Sequence, residues 1–390
     1  MAQYKYLIVG AGMTADAAVR GIRELDEDGE IGMIGNDPNP PYNRPPLSKA
    51  LWKGKPLDSI WRRTQDLRVD LHLGRTVRSI DPDKKVVRDD QGVNYTYEKL
   101  LLATGGTPRK LPFGGEDIIY YRTLDDYHYL RELSNRDNHF GVIGGGFIGS
   151  EIAAALTMNG KKVTMFIPEA GIGWHIYPSE LSDYLTSFFR QKGVEILPEV
   201  RVMDLQKHDG SYVLVTDHND KVRVDGVIAG IGIQPNIELA QTIGIKIGNG
   251  IVVDDILRTS LPDIFAAGDV AEFRNPTLGK RLRIEHEDNA NTMGKQAGRN
   301  MAGANEPYNH LSYFYSDLFD LGYEAVGELD SRLETFVDWK DSFKKGVIYY
   351  LAGQRVRGVL LWNVWDTVPK ARALIAEPGP FTTADLKGRL

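Results

Sequence analysis

Cysteine is absent from the 390-residue sequence. Its absence removes disulfides, thiolate metal sites, iron–sulfur ligation and every dithiol relay together. Any electrons this chain handles must therefore travel through a bound cofactor. Long apolar runs are also missing: none approaches the roughly 18 residues of a membrane helix, although 42% of the residues are hydrophobic and 26% charged. The opening MAQYKYLIVGAG lacks the charged, apolar and small-residue sections of a secretory signal, so cytoplasm is the expected compartment. An excess of positive charge is lacking too. The formal net charge is -6, which argues against general nucleic-acid affinity, because counterion release needs a basic surface. The length is too great for one ordinary core, and two or three domains are expected.

A short apolar run from Tyr4 ends in glycine at Gly10 and is followed by an alanine-rich segment, Met13 to Leu25, that suits a packed helix. Between them Gly10-Ala11-Gly12-Met13-Thr14-Ala15 has the form G-x-G-x-x-A. In that order the first glycine permits the turn, the second admits a pyrophosphate to the backbone, and the small Ala15 lets helix and strand pack closely. Helix amides then face the phosphates. A second copy stands about 130 residues on, where Gly144, Gly146 and Gly149 complete G-x-G-x-x-G between Phe140–Ile143 and a helix from Ser150. Two such turns imply two dinucleotides. The strand after the second copy leads to Glu169, 23 residues beyond Gly146. An acid there suits a ribose 2′-hydroxyl and favours NADH over NADPH; the alternative is a solvated glutamate on a turn. Ala266-Ala267-Gly268-Asp269 follows an apolar strand, and by spacing alone its acid is a ligand contact or a helix cap.

The proline-rich stretch Asp37 to Pro46 reads as an ordered loop, with a helix beginning near Pro46 that carries Ser48, Lys49 and Trp52. Residues Val69 to Leu102 read as a small antiparallel unit. From about Tyr313 a third, α+β unit is expected, with strands at Tyr323–Glu328, Glu334–Asp338, Lys345–Ala352 and Gly358–Trp362 and a helix near Val368–Ile375. No metal-ligand grouping is evident.

With these residues in view the chain resembles the two-dinucleotide flavoprotein superfamily. Within it, the chain is most similar to the branch of apoptosis-inducing factor and the ferredoxin, rubredoxin and putidaredoxin reductases. The segments that carry the likeness are Gly10–Ala15, Pro41–Lys49, Ala103–Arg109, Gly144–Glu151, Gly232–Asn236, Ala267–Asp269, Ile284–Glu287, Tyr313–Asp317 and Gly322–Glu324. The resemblance implies an α/β fold of two Rossmann-like domains plus a C-terminal α+β interface domain. It implies an FAD-binding domain of 1–114 with 238–312, an NAD-binding domain of 115–237 and an interface domain of 313–390. Arg44, Lys49, Val77, Thr104, Arg109 and Asp269 are implied at FAD, with either Asn36 or Asp37 at its ribose in place of the usual glutamate. Around the nicotinamide dinucleotide it implies Phe147, Ile148, Glu151, Glu169, Gly232, Glu285, His286 and Glu287. Lys49, Glu151, Phe147 and His286 are implied nearest the chemistry. The activity implied is hydride transfer from NADH to FAD and release of electrons to a ferredoxin or rubredoxin; an NADH-responsive sensor and direct reduction of quinones or oxygen are the rivals. A homodimer is left open. Disulfide-reductase chemistry is excluded for want of a cysteine pair. A basic cluster, Lys280, Arg281 and Arg283, is the expected docking patch for an acidic acceptor.

Overall fold

A computed structural model of the chain describes residues 2–390. It divides into two compact units, one of Met1–Asn43, Asp58–Thr107 and Gln234–Ser312, the other of Arg44–Leu57, Pro108–Ile233 and Tyr313–Leu390.

The first unit is built on the buried strand Ala2–Val9, whose apolar second half is covered on both faces, as a parallel strand must be. It pairs in parallel with Ile31–Gly35 on one side and Asn94–Leu102 on the other. Asp70–Leu73 extends the sheet in parallel beyond Ile31–Gly35, and Ile264–Ala266 lies parallel to the end of Asn94–Leu102. Only Val77–Asp81, Val86–Asp89 and the start of Asn94–Leu102 run antiparallel. The stretch from Val69 to Leu102 is therefore not a separate antiparallel unit. Its first and last strands complete the parallel sheet, because Leu100–Leu102 is fully buried and needs cover on both faces.

Register decides where chemistry can gather. Leu7, Ile8 and Val9 stand opposite Leu100, Leu101 and Leu102, which stand opposite Ile264, Phe265 and Ala266. Three neighbouring strands thus end level, at Gly10, Ala103 and Ala267. The crevice beyond the carboxyl ends of such strands is where α/β sheets bind ligands.

The second unit repeats the plan. Its parallel sheet runs in the order Val194–Pro198, Lys162–Ile167, His139–Ile143, Gly226–Ala229, Ile118–Ile119. A three-stranded antiparallel sheet, Val202–His208, Ser211–Thr216 and Lys221–Val224, belongs to the same unit. The tail forms a five-stranded antiparallel sheet in the order Tyr313–Leu318, Leu321–Gly327, Arg355–Trp362, Lys345–Ala352, Glu334–Asp341, followed by the helix Val368–Ala376. Its first strand begins at Tyr313, a whole strand earlier than the alternation suggested. Among the described residues no helix is long and apolar enough to cross a membrane.

Candidate functional site

The first glycine turn is tightly built. Gly10 has φ of +118° and its amide donates to the Ile34 carbonyl at 2.7 Å. A side chain at this residue would stand 2.1 Å from the Ala103 carbonyl oxygen, so only glycine fits. Gly12 caps the helix Met13–Arg23 without any side-chain hydrogen bond, leaving the first-turn N–H groups for another acceptor. Ala15 is fully buried beneath that turn. Beside it, Thr104 donates to the Asn236 carbonyl at 2.8 Å, and the Asn236 amide returns a bond to the Thr104 carbonyl at 2.9 Å. Asn236, known only as part of a motif, is what holds this turn.

At the end of the next strand Asn36 is exposed. Asp37 instead accepts from the Asn39 backbone and side chain and from the Tyr42 hydroxyl, at 2.9, 3.0 and 2.9 Å. Its carboxylate is occupied in shaping the proline-rich loop. Val77 is buried at the start of Val77–Asp81. Asp269 sits on the short turn Gly268–Val270, and its carbonyl accepts from Arg283 at 3.0 Å. His286 is the N-terminal cap residue of the helix Glu287–Met301, with Glu287 and Asp288 in the first turn. Burial pushes its imidazole down to about 4 against the opposing influence of Asp269 and Asp288. The ring is neutral at pH 7.

Sequence reasoning missed Asp16, a carboxylate with no exposed surface in the first helix. It accepts from Arg62 at 2.6 Å, from Arg20 at 2.9 and 3.2 Å and from Thr64 at 2.7 Å. Arg62 in turn donates to Asn43 at 2.7 Å. A buried charge needs such company, and the arrangement fastens the loop ahead of Arg44. Arg20 is a local partner four residues on, but Arg62 and Thr64, which bury the carboxylate, lie 46 and 48 residues away, so no short motif announces the set.

In the second unit, Gly144 has φ of +106° and Gly149 lies 2.1 Å, by its added side chain, from the Gly144 carbonyl. Gly146, the cap of the helix Phe147–Met158, has no side-chain cap bond and nothing nearer than 4.0 Å to an added side chain. Gly146, Phe147 and Ile148 are exposed together. Phe147 meets Phe314 edge-on at 5.1 Å. Gly232, at φ +90°, accepts through its carbonyl from the Arg109 amide at 2.9 Å. Glu169 is a third exposed and lies 3.3 Å from the Nε2 of His175.

One helical turn into Phe147–Met158 stands Glu151, 3% exposed. One oxygen accepts from Lys49 at 2.7 Å and Ser48 at 2.6 Å; the other accepts from Ser316 at 2.6 Å. Lys49 also lies 5.3 Å over the ring of Tyr315. The expected helix from Pro46 is replaced by two 3-10 turns, Pro45–Ser48 and Ala50–Lys53, interrupted at Lys49 and preceded by Arg44. The cause is the Leu47 carbonyl. A continuing α-helix would offer it to the N–H four residues on, but it accepts the Trp52 indole at 2.9 Å and the Tyr121 hydroxyl at 2.5 Å. The break turns Ser48 and Lys49 together toward Glu151.

The expected basic docking patch is not a free cluster. Arg283 is only 10% exposed and pairs with Glu285 at 2.7 Å. Arg281 pairs with Glu272 at 3.0 Å and donates to two backbone carbonyls. Runs of basic residues look alike whether their charge is spent inward or outward.

The two uncapped helix starts, each behind a glycine turn at the carboxyl edge of a parallel sheet, fit two dinucleotide pyrophosphates. Comparison with known proteins gives the family. A model described as pyridine nucleotide-disulphide oxidoreductase matches residues 4–294, and one for the C-terminal part of mitochondrion-associated apoptosis-inducing factor matches 297–340 and 337–377. A mitochondrial apoptosis-inducing factor 1 of Dictyostelium discoideum is 34% identical, over 96% of this chain and 78% of its own length. The ferredoxin–NAD(+) reductase component of the 3-phenylpropionate/cinnamic acid dioxygenase of Photorhabdus laumondii is 32% identical over 97% and 98% of the two chains. The reductase in a crystal structure of a covalent putidaredoxin reductase–putidaredoxin complex is 29% identical, with a TM-score of 0.90 over 97% and 94%. The chain belongs to the pyridine nucleotide-disulphide oxidoreductase family and is an FAD-dependent oxidoreductase that uses NAD(H), similar to relatives named as ferredoxin–NAD(+) reductases.

Proposed function

We propose that this oxidoreductase oxidises NADH and delivers the electrons singly to a small iron–sulfur protein of the ferredoxin or rubredoxin kind. The balance is one NADH and two oxidised acceptors giving NAD+, two reduced acceptors and a proton. The observation that carries the reading is the cage around Glu151. Where a disulfide reductase needs thiols, this chain has Ser48, Lys49 and Ser316 on one carboxylate and no cysteine anywhere. Flavin, when bound, supplies the passage from two-electron to one-electron chemistry that no side chain here provides.

The roles proposed for the residues follow from their settings. Gly10, Gly12, Ala15, Asn36, Arg44, Val77, Thr104, Arg109 and Asp269 hold FAD, with Asn36 rather than the engaged Asp37 at the ribose. Gly144, Gly146, Ile148, Gly149, Gly232, Glu285, His286 and Glu287 receive the nicotinamide dinucleotide. Phe147 covers the reacting end from water. Glu169 accepts the adenosine ribose hydroxyl and repels a 2′-phosphate, which gives the preference for NADH. Lys49 favours negative charge on the reduced cofactor, and Glu151 with its serines fixes the position of that ammonium.

The relatives named as ferredoxin–NAD(+) reductases support the acceptor class. A second reading, an NADH-responsive sensor, is favoured by the C-terminal match to apoptosis-inducing factor. The test is to reduce the FAD-loaded protein with NADH and mix it with a panel of ferredoxins and a rubredoxin. Rapid reoxidation supports the reductase; a reduced form that survives air and changes the oligomeric state supports the sensor.

A further inference from the structure

The loop after Glu169 carries a group that sequence spacing did not connect with it. Pro168 and Ala170 supply no cation beside Glu169, but the chain returns six residues later and sets the His175 imidazole 3.3 Å from the Glu169 carboxylate. The return is enforced from both sides. Gly173 donates its amide to the Gly145 carbonyl at 2.9 Å, tying the loop to the glycine turn. On the far side the Ser331 amide donates to the His175 carbonyl at 3.1 Å and the Tyr350 hydroxyl to the Ile176 carbonyl at 2.8 Å. Tyr177 is buried edge-on against Tyr323 and Trp362. The backbone of residues 173–177 is thus fixed, while the His175 side chain is 78% exposed and open to solvent protons.

We propose that His175 sets the choice between NADH and NADPH and makes that choice depend on pH. This rests on the assignment of Glu169 to the adenosine ribose. With the imidazole neutral, Glu169 presents a bare carboxylate that accepts a 2′-hydroxyl and repels a 2′-phosphate. With the imidazole protonated, the pair is neutral overall and a cation stands where a 2′-phosphate arrives. Discrimination against NADPH is therefore greatest where the imidazole is neutral and relaxes as acidification protonates it.

The other charges near this pair do not reproduce the effect. Glu199, exposed, meets Glu169 through its backbone amide at 3.0 Å, and a carboxylate stays ionised across this range. Asp330 and Arg332 flank Ser331 and pair with each other at 2.6 Å. Burial raises the hydroxyls of Tyr177 and Tyr350 far above it, so both remain protonated. The ligand itself does titrate, since a phosphate monoester takes its second proton near pH 6. That contribution acts in the same direction and must be separated.

The experiment measures calorimetric binding of NAD+ and NADP+ to the oxidised, FAD-loaded protein at pH 8 and pH 6. The parent, His175→Gln, His175→Lys and Glu169→Gln are compared, and NMR follows the His175 ring through the titration. In the parent the ratio of the NADP+ to the NAD+ dissociation constant is expected to fall by at least about tenfold from pH 8 to pH 6. In His175→Gln the fall shrinks by at least about threefold, to the share of the phosphate alone. His175→Lys lowers the ratio at pH 8 and flattens its pH dependence. Glu169→Gln moves the ring titration to lower pH without any ligand present. An unchanged pH dependence in His175→Gln, or a ring titration indifferent to Glu169→Gln, overturns the proposal. If NAD+ and NADP+ bind every variant alike at both pH values, the placing of Glu169 at the ribose fails instead.

Discussion

The two strand–turn–helix repeats look alike as sequence and are built to opposite ends. In the first, Gly10 is jammed against Ala103, Thr14 and Ala15 are buried, and Asp16 is locked by two arginines and a threonine. In the second, Gly146, Phe147 and Ile148 are exposed, and Glu151, one place further along the same frame, is met by one lysine and two serines. A closed turn with its acid fully neutralised suits a group held permanently. An open turn with a single cation suits one that enters and leaves. On the proposed assignment, that difference lets one motif serve a resident FAD and an exchanging NADH.

Breaking each glycine in turn exposes the contrast most sharply. Gly10→Ala is expected to abolish FAD retention and most soluble protein, because its φ of +118° and the 2.1 Å approach leave no room. Gly146→Ala, with φ of -81° and 4.0 Å of clearance, should fold, keep its flavin spectrum and raise the KM for NADH at least about tenfold by obstructing the pyrophosphate. The visible spectrum and steady-state kinetics of the pair decide it. Asp16→Ala comes next. It leaves Arg62, 12% exposed, without its carboxylate while Arg20, 45% exposed, stays solvated, and should cost about 3–4 kcal/mol in urea unfolding, with little change in NADH kinetics per bound flavin.

Lys49→Ala is the mirror experiment in the second repeat. It leaves Glu151 buried with only hydroxyl partners, and a loss of about 2–3 kcal/mol is expected. Unlike the Asp16 change, it should also slow flavin reduction by NADH and lower the flavin potential, as read by stopped flow and spectroelectrochemistry. Lys49→Arg should recover part of the potential. Equal kinetics for Lys49→Ala and Asp16→Ala would erase the distinction between the locked and the poised acid.

How far the sequence carried this account depends on distance along the chain. The glycine turns and four of the five tail strands were legible because each is written in a contiguous period or a fixed short motif; the level strand ends were not, since Leu100–Leu102 reads as part of an antiparallel unit until its parallel neighbours are known. The cages were not. Asp16 finds Arg62 and Thr64 by tertiary return, and Ser316 reaches Glu151 across 165 residues. The helix expected near Pro46 failed because Tyr121, 74 residues on, takes the Leu47 carbonyl. The basic run at Lys280, Arg281 and Arg283 misled because its acids, Glu272 and Glu285, face it in the fold. Composition counts charges and does not say which way they point.

A smaller effect separates the strand-end cluster of the first unit from its surroundings. His286 is depressed to about 4 by burial, below the 6.5 of an unfolded chain. The unfolded state therefore gains a proton first, so stability is fully present above about pH 6.5 and drains away as pH falls toward 4. Replacing His286 by Asn should flatten that part of the profile by about 2 kcal/mol at most, measured by urea unfolding between pH 7 and pH 4.5.

Single-electron delivery to an iron–sulfur acceptor can be followed in one mixing experiment. NADH-reduced protein is mixed with a [2Fe–2S] ferredoxin by stopped flow, air excluded. Flavin reoxidation within milliseconds is expected, matched by two equivalents of reduced ferredoxin per flavin. A flavin that stays reduced for seconds beside excess oxidised ferredoxins and rubredoxin alike would contradict it.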